Sequence, residues 1–250
     1  MKSVGIIPAR YGSSRFPGKP LALIAGRPMI EWVYKRAKAS KLDYVVVATD
    51  DERIFNCVES FGGMAVMTRT DHETGTDRLQ EAVEKLSEKL GEFQIVINVQ
   101  GDEPLIDKAL IDALVEMMKQ DENVPMGTLM HEISDITDVD NPNVVKVICD
   151  KNLDALYFSR CPIPYNRAKS EMKYFRHLGI YAYRKSFLKT FTELAQSRLE
   201  KLESLEQLRA LENGYKIRVL EAKTACAGVD TPEDLVKIES FIQERGIKLD

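Results

Sequence analysis

The feature that most constrains this chain is an alternation of short apolar runs with longer amphipathic stretches in its first half. Val4–Pro8, Tyr44–Thr49 and Ile95–Val99 are rich in β-branched residues and are bounded by turn-forming or polar residues, which is typical of strands buried on both faces. A strand–helix–strand order implies right-handed crossovers and a parallel sheet, so the first half is predicted to be Rossmann-like. The helical patterns lie at about 28–40, 51–61, 76–89 and 108–120.

After about residue 123 the spacing of the apolar runs changes. Five further strand-like runs lie at about 126–133, 144–149, 155–158, 178–183 and 217–222. Helical patterns fit 185–195, 199–213 and 232–245. The stretch 162–174 is polar and contains proline, which is typical of a mobile loop. We expect antiparallel strands added to the first sheet, or a flap folded over its edge.

These patterns predict a single α/β domain over 1–250. It combines a Rossmann-like, mostly parallel sheet and flanking helices with an inserted antiparallel sub-domain. The first half is expected to end at about residue 123 and the sub-domain to cover about 124–225. Residues 226–250 are expected to return to the main body.

Composition narrows the possible classes of function. The 250 residues are 44% hydrophobic and 30% charged, which suits a globular protein with a sizeable core, and the formal net charge is −4. Proteins that coat nucleic acids are normally basic, so no nucleic-acid partner is expected. No apolar run is long enough to cross a membrane. The four cysteines are scattered without a Cys-x-x-Cys pair, as expected of reduced thiols rather than a zinc site or redox couple.

The first candidate for chemistry is the loop Ala9–Pro20, which follows the first predicted strand. Ligands of open α/β sheets bind at this carboxyl end of the strands. Two glycines and two serines in the loop let backbone N–H groups approach an anion. It is not a Walker A loop, because Gly12 and Gly18 enclose five residues and Pro20 stands where Ser or Thr is required. The cations of the loop, which suit a triphosphate, are Arg10, Arg15 and Lys19.

Two acidic residues are candidate ligands for a divalent metal ion. Asp102 comes just after the third predicted strand, and Asp230 precedes a candidate helix start at Thr231 and Pro232. Each acid alone also fits a turn or capping role. Both follow apolar segments expected to end at the same sheet edge, so we predict that they share a magnesium ion, which prefers carboxylate oxygens.

Eight segments, in order along the chain, carry a specific resemblance. They are Ile7–Pro20, Ala48–Asp51, His72–Arg78, Asn98–Pro104, Ala155–Arg160, Arg176–Tyr181, Leu205–Arg209 and Val229–Leu235. On these residues the chain resembles the 3-deoxy-manno-octulosonate cytidylyltransferase family from about residue 3 to 240. The first and last segments occur in looser form in other cytidylyltransferases. The narrower signatures are Phe158-Ser159-Arg160, Arg176-His177-Leu178 and Glu206-Gln207-Leu208.

The resemblance implies an enzyme that transfers CMP from CTP to the anomeric hydroxyl of 3-deoxy-D-manno-octulosonate (Kdo). It releases pyrophosphate, requires magnesium and serves lipopolysaccharide synthesis. By match, the CTP-binding residues are Pro8, Arg10, Ser13, Arg15, Lys19, Thr76 and Arg78. The catalytic residues are Arg10, Arg15, Lys19 and Asp102, and the metal ligands are Asp102 and Asp230. The sugar-binding residues are Gln100, Arg160, His177, Tyr181, Glu206 and Gln207.

This sugar pocket agrees with the chemistry of Kdo, which is a carboxylate with many hydroxyls. Arg160 and His177 suit the carboxylate by charge-assisted hydrogen bonds, and Glu206 and Gln207 suit the hydroxyls. Each also has an ordinary alternative: a surface ion pair for Arg160, a core position for His177 or Tyr181, and a solvated helix face for Glu206. Nucleotidyl transfer rests on positioning and charge stabilisation, and no general base stands out in the sequence.

Three alternatives stay open. A cytidylyltransferase for another acid sugar, such as a sialic acid or 8-amino-Kdo, would share the loop and the acids and differ in the sugar pocket. A glycosyltransferase of similar fold is less favoured, because Gly101-Asp102-Glu103 lacks the second Asp of an Asp-x-Asp motif. A non-catalytic nucleotide sensor would not need the two acids. The resemblance further implies a homodimer built through the sugar-binding second half, and the scattered cysteines favour a reducing cytoplasm.

Overall fold

The computed structural model of the protein describes residues 1–12, 16–72, 74–225 and 228–249. The chain divides into two compact units, one formed by 1–115 with 226–250 and the other by 116–225. The boundaries expected from the sequence are about 123 and 225.

The elements follow one another in this order. They are β1 (Ser3–Ala9), a 3₁₀ helix (Lys19–Leu21), β2 (Leu23–Ile24), β3 (Arg27–Pro28), α1 (Met29–Lys38), β4 (Tyr44–Thr49), α2 (Glu52–Ser60), β5 (Ala65–Met67), α3 (Gly75–Leu90), β6 (Ile95–Asn98), α4 (Lys108–Gln120), β7 (Met126–Glu132), α5 (Thr137–Asp140), β8 (Lys146–Cys149), β9 (Ala155–Ser159), β10 (Phe175–Arg184), α6 (Lys185–Glu193), α7 (Arg198–Glu203), α8 (Leu208–Glu212), β11 (Ile217–Glu221) and α9 (Pro232–Arg245).

The first unit contains a parallel sheet in the order β6-β1-β4-β5. In its central strand, Ile6 lies opposite Asn98 of β6, and Pro8 lies opposite Ala48 of β4. The strands are almost completely buried, as expected of a sheet covered on both faces. The predicted parallel α/β class is therefore confirmed. The prediction misses β5, because three residues are too few to show a pattern.

A small antiparallel hairpin, β2 with β3, is a further element that the sequence does not predict. The Trp32 indole N–H fixes it by donating to the Ile24 carbonyl at 2.9 Å. A capping box starts α9, in which the side chains of Thr231 and Asp234 each accept the other residue's N–H. Within the first unit, the C-terminal helix packs on the hairpin and α1 through one apolar cluster, which contains Ile24, Met29, Trp32, Val229, Ile238 and Ile242.

The second unit is built on a mixed sheet. Strand β7 pairs in parallel with β11 and antiparallel with β10, and β8 pairs antiparallel with β10 and β9. The expectation of an antiparallel sub-domain is met by three of these pairs but not by β7 with β11. Parallel strands need a long connection, and here the chain between the two strands includes α6, α7 and α8.

One predicted helix is wrong. The pattern over 199–213 forms two short helices, α7 and α8, with Ser204 between them in the left-handed region at a φ of 51°. The Leu205 N–H donates to the Glu200 carbonyl at 3.1 Å. A buried bidentate ion pair then joins the helices, with Arg209 Nη2 2.5 Å from Glu200 Oε1 and Arg209 Nε 2.9 Å from Glu200 Oε2. The sequence shows only a charged, helix-forming run at this place.

Residues 162–174 form neither helix nor strand, in agreement with the predicted loop. Cys57, Cys149 and Cys161 are free, and Cys226 lies outside the described residues. In the ranges given above, no helix is both long and apolar enough to cross a membrane.

Candidate active site

The first unit contains a cavity of about 330 Å³. Its walls come from the loops after β1 and β6, from the start of α3 and from the segment before α9. The carboxyl ends of parallel strands are the expected place for a ligand in such a sheet. The described residues that line it are Pro8, Ala9, Arg10, Lys19, Pro20, His72, Thr74, Gly75, Arg78, Gln100, Gly101, Asp102 and Asp230.

The loop after β6 approaches β1 closely because residue 101 is a glycine. A Cβ atom at Gly101 would lie 2.6 Å from the carbonyl oxygen of Pro8, which is well inside contact distance. A larger residue would therefore have to move one of the two loops. This close approach brings Gln100 and Asp102 to the cavity wall beside Pro8.

Lys19 brings the two predicted metal ligands together. Its Nζ lies 2.8 Å from Asp102 Oδ2 and 3.7 Å from Asp230 Oδ1. The same ammonium donates to the Val229 carbonyl at 2.8 Å, and the Val229 N–H donates to the Asp102 carbonyl at 2.8 Å. The expectation that Asp230 lies at the end of a strand is wrong. Asp230 precedes the N-cap of α9 and reaches the cavity because its backbone is tied to the loop of Asp102.

These two carboxylates are a suitable donor set for magnesium when a substrate completes it. Within the described residues no group of three or more His, Cys, Asp or Glu side chains is arranged to hold a metal ion. Magnesium in proteins is usually held by one or two carboxylates together with substrate phosphates and water. Asp102 and Asp230 fit this pattern, and the Lys19 ammonium lies within reach of both carboxylates.

Arg78 is buried in the first turns of α3 and lines the cavity. Its Nη2 pairs with Asp50 at 2.6 Å. Its Nη1 donates to Thr68 Oγ1 at 2.5 Å and to the Arg69 carbonyl at 3.3 Å. The guanidinium therefore ties α3 to the segments that follow β4 and β5, and its orientation at the cavity edge is fixed.

The N-terminal end of α3 also forms part of the cavity, through Thr74 and Gly75. Thr74 Oγ1 accepts the Asp77 N–H at 3.1 Å, and the Asp77 carboxylate accepts the Thr74 N–H at 3.3 Å. This capping box fixes where the helix begins. A helix N-terminus carries a partial positive charge, which favours an anionic ligand in the cavity.

The remaining predicted CTP-binding residues differ in their placement. Arg10 is exposed and lines the cavity. Thr76 is buried on α3 and is not among the described residues that line the cavity. Ser13 and Arg15 lie outside the described residues. His72 also lines the cavity, although the sequence predicts no role for it. It lies just before α3, in a segment that carries the family resemblance.

Of the predicted sugar-binding residues, Gln100 belongs to the first unit and the other five to the second. His177 and Tyr181 lie on β10, and the His177 ring centroid is 5.3 Å from that of Tyr181 and 5.0 Å from that of Phe158. Burial lowers the pKa of His177 to about 3. The ring is therefore neutral at pH 7 in this structure, and its expected contact with the sugar carboxylate stays a prediction. Burial and the nearby charge of Glu206 raise the pKa of Tyr181 well above its usual value.

The guanidinium of Arg160 is engaged by backbone carbonyls. Its Nε donates to Glu203 at 2.7 Å, its Nη1 to Pro142 at 2.9 Å and its Nη2 to Ser204 at 3.3 Å. The fully buried Lys146 fixes the same place by donating to the Arg160 carbonyl at 2.6 Å. A sugar carboxylate would have to share or replace these carbonyls.

Glu206 and Gln207 lie at the junction of α7 and α8. Glu206 Oε1 is 3.8 Å from Arg209 Nη2. Gln207 is buried, and within the part of the chain that the structure describes its Nε2 has no hydrogen-bond partner. A buried amide without a partner is uncommon and suits a group that binds a ligand. The sugar-binding role of both residues stays a prediction.

Known proteins are similar in sequence to this chain over most or all of its length. A 3-deoxy-manno-octulosonate cytidylyltransferase of Fusobacterium nucleatum is 51% identical over 249 residues, which cover 100% of both chains. An 8-amino-3,8-dideoxy-manno-octulosonate cytidylyltransferase of Shewanella halifaxensis is 53% identical over 232 residues, which cover 92% of this chain and 94% of that protein.

A solved structure and a family model agree with these relatives. The structure of a CMP:2-keto-3-deoxy-manno-octonic acid synthetase complexed with CTP matches with a TM-score of 0.93 and 47% identity, covering 98% of this chain and 100% of that one. The model of the family Cytidylyltransferase matches residues 4–217. On these matches the chain belongs to the cytidylyltransferase family and, within it, to the 3-deoxy-manno-octulosonate cytidylyltransferases.

Proposed function

We propose that the protein transfers the CMP group of CTP to the anomeric hydroxyl of Kdo and releases pyrophosphate, forming CMP-Kdo for lipopolysaccharide synthesis. The observation that carries this proposal is the cavity of the first unit. There the cations Arg10 and Lys19 lie with the acids Asp102 and Asp230 at the carboxyl end of a parallel sheet. The full-length likeness to the Fusobacterium nucleatum protein supports Kdo as the acceptor.

In this reaction the anomeric oxygen of Kdo attacks the α-phosphorus of CTP. The new P–O bond joins CMP to the sugar, and the bond from the α-phosphorus to the oxygen it shares with the β-phosphorus breaks. Pyrophosphate leaves with that oxygen, and the hydroxyl proton passes to solvent. Negative charge grows on the leaving pyrophosphate, and Arg10 and Lys19 supply positive charge at the cavity. One charge pair at 4 Å is worth about 4 kcal/mol at an effective dielectric of roughly 20. Positioning and charge stabilisation are the main contributions a protein makes to such a transfer.

We propose magnesium as the cofactor, with Asp102 and Asp230 as its protein ligands. A magnesium ion supplies charge to phosphate oxygens and lowers the pKa of a coordinated hydroxyl. The two carboxylates supply the hard oxygen ligands and lie within reach of one ammonium group in this structure. If these carboxylates bind magnesium, the Lys19 ammonium that contacts them here can instead contact the triphosphate.

Pyrophosphate release from CTP tests the proposal, with Kdo, 8-amino-Kdo and N-acetylneuraminate as acceptors. We expect release with Kdo and magnesium, and none after the magnesium is removed with a chelator. No release with Kdo together with turnover of N-acetylneuraminate would contradict the assignment of the acceptor.

The likeness to the Shewanella halifaxensis protein favours 8-amino-Kdo as a second candidate acceptor. The two sugars differ only at carbon 8, far from the reacting hydroxyl. The ratio of their kcat/KM values in the same assay decides between them. We further propose a cytoplasmic location, which the scattered cysteines favour, and the homodimer that the family resemblance implies. Light scattering of the purified protein measures its mass in solution.

A further inference from the structure

His72 forms part of the cavity wall together with Thr74, Gly75 and Arg78. Its side chain is only 6% exposed, so its ring is held between the protein and the cavity. The inference developed from this residue rests on the proposed function, because it concerns the CTP that the cavity is proposed to bind.

The orientation of the His72 ring is set by Glu81 on α3. The Glu81 carboxylate hydrogen-bonds His72 Nε2. It also accepts Lys85 Nζ at 2.7 Å and the Arg69 N–H at 3.0 Å. Burial opposes ionisation of Glu81, but these hydrogen bonds prevail and lower its pKa to about 2. Glu81 is therefore an anion at neutral pH, and an ionised carboxylate only accepts hydrogen bonds.

The proton between the two side chains must then be carried by His72 Nε2. When the imidazole is neutral, its one proton lies on Nε2 against Glu81, and Nδ1 is then a lone-pair acceptor. Glu81 occupies Nε2, which leaves Nδ1 as the ring nitrogen that can meet a ligand in the cavity. With its ring neutral, His72 thus offers the cavity one oriented hydrogen-bond acceptor.

CTP carries hydrogen-bond donors only on its nucleoside, namely the two ribose hydroxyls and the 4-amino group of cytosine. The ionised triphosphate offers only acceptors, and it is matched by the cations Arg10 and Lys19 of the same cavity. We propose that His72, oriented by Glu81, binds CTP by accepting a hydrogen bond from a donor on the nucleoside. His72 is then a nucleotide-binding residue and Glu81 a positioning residue that acts through it.

The affinities of CTP and CMP, measured by calorimetry, test this contact. His72→Gln keeps a polar group near the Nε2 position and removes the acceptor at Nδ1, whereas His72→Asn places an amide oxygen near Nδ1. We expect His72→Gln to weaken the binding of CTP and of CMP by the same factor of about ten, as for one lost hydrogen bond. His72→Asn should lose less of this affinity. Turnover at saturating CTP should stay within about twofold, because a contact made equally in the ground and transition states changes KM and not kcat.

Glu81→Gln and Lys85→Met separate positioning from a general effect on the fold. Lys85→Met removes another partner of the same carboxylate without touching His72, so it should lower the melting temperature and leave the affinity for CTP unchanged. Glu81→Gln should weaken CTP binding. Equal losses of affinity in the two variants would overturn the positioning role of Glu81.

Three analogues identify the donor: 2′-deoxy-CTP, 3′-deoxy-CTP and the triphosphate of pyrimidin-2-one riboside, which lacks the 4-amino group. The penalty of His72→Gln should vanish for the analogue that lacks the donor. A penalty that persists with all three, or one that appears with CTP and not with CMP, would overturn the proposal. If the wild-type protein failed to bind CTP, the proposed function itself would fail. If it turned over CTP and Kdo while His72→Gln bound CTP normally, only this inference would fail.

Discussion

The Lys19 side chain joins the two acids of the cavity. It is 16% exposed, and it contacts both carboxylates and one backbone carbonyl. Like charges repel in a partly buried site, and the ammonium offsets this repulsion. Lys19 therefore competes for the place that a divalent cation would take.

Replacing Lys19 with methionine should raise the affinity of the nucleotide-free protein for a divalent cation. We expect Lys19→Met to bind Mn²⁺ about tenfold more tightly than the wild-type protein, since a nearby like charge contributes on the order of 1–4 kcal/mol. Calorimetry with Mn²⁺ measures this without turnover. Lys19→Arg keeps the charge and is the matched control, which should bind Mn²⁺ weakly. Equal affinity in Lys19→Met and the wild type would show that Lys19 does not compete for the site.

Much of this site could be anticipated from residue types. Asp102 follows a recognisable strand, and Lys19 lies in a loop of unusual composition. The sequence could not show how Asp230 joins them, because that depends on the hydrogen bond from the Val229 N–H to the Asp102 carbonyl. Nor could it show that His177 is neutral, since that follows from its burial in the folded protein.

The start of α9 fixes the backbone of one of the two acids, Asp230. The Asp234 carboxylate accepts the N–H groups of Thr231 at 3.1 Å and of Asp230 at 3.2 Å. The Thr231 hydroxyl accepts the Asp234 N–H at 3.3 Å. The helix cap and the backbone of Asp230 are thus held by the same few hydrogen bonds.

Thr231→Ala should lower the free energy of unfolding by about 1 kcal/mol, the usual cost of losing an N-cap. It should also weaken Mn²⁺ binding in the presence of CTP, because the backbone of Asp230 loses part of its support. Urea denaturation and calorimetry measure the two effects. Thr231→Ser keeps the hydroxyl and should restore both, and Val236→Ala, at an exposed position on the same helix, should stay within about 0.5 kcal/mol. A wild-type unfolding midpoint in Thr231→Ala would contradict the role of the cap.

The elements themselves were predictable where local pattern and packing agree. The buried strand Tyr44–Thr49 and the helix after Asp107 are predicted correctly, because β-branched runs and capping residues mark them. The break at Ser204 could not be predicted in this way. The two short helices around it are held by the Glu200–Arg209 ion pair, which is a contact between residues on different helices. The hairpin β2–β3 has two residues in each strand, which is too short for any periodicity.

The α/β class and the family of the whole chain are apparent from the sequence, because strand-like runs and motif segments are spread along nearly all of it. The dependence of stability on pH is not apparent from the sequence, because it is set by side chains whose pKa changes on folding. Burial lowers the pKa of His177 from 6.5 to about 3. Burial opposes ionisation of Glu81, yet its hydrogen bonds lower its pKa from 4.5 to about 2.

Both shifts have the same sign for stability. In each case the folded protein binds a proton less readily than the unfolded chain, so the unfolded chain gains protons first as the pH falls. The contribution of His177 is lost as the pH falls from 6.5 towards 3, and that of Glu81 as it falls from 4.5 towards 2. At about 1.4 kcal/mol for each pKa unit, His177 alone should lower the free energy of unfolding by about 2 kcal/mol between pH 7 and pH 5.

Urea midpoints measured across this pH range separate the two groups. The wild-type midpoint should fall between pH 7 and pH 5, and His177→Gln should flatten this part of the profile because the titrating ring is gone. Glu81→Gln should keep the fall above its usual pKa of 4.5 and flatten the profile only below it. Each variant is thus the control for the other, since the two windows overlap only in part. A wild-type slope between pH 7 and pH 5 in His177→Gln would show that another group titrates there and that the His177 ring is not kept neutral by burial.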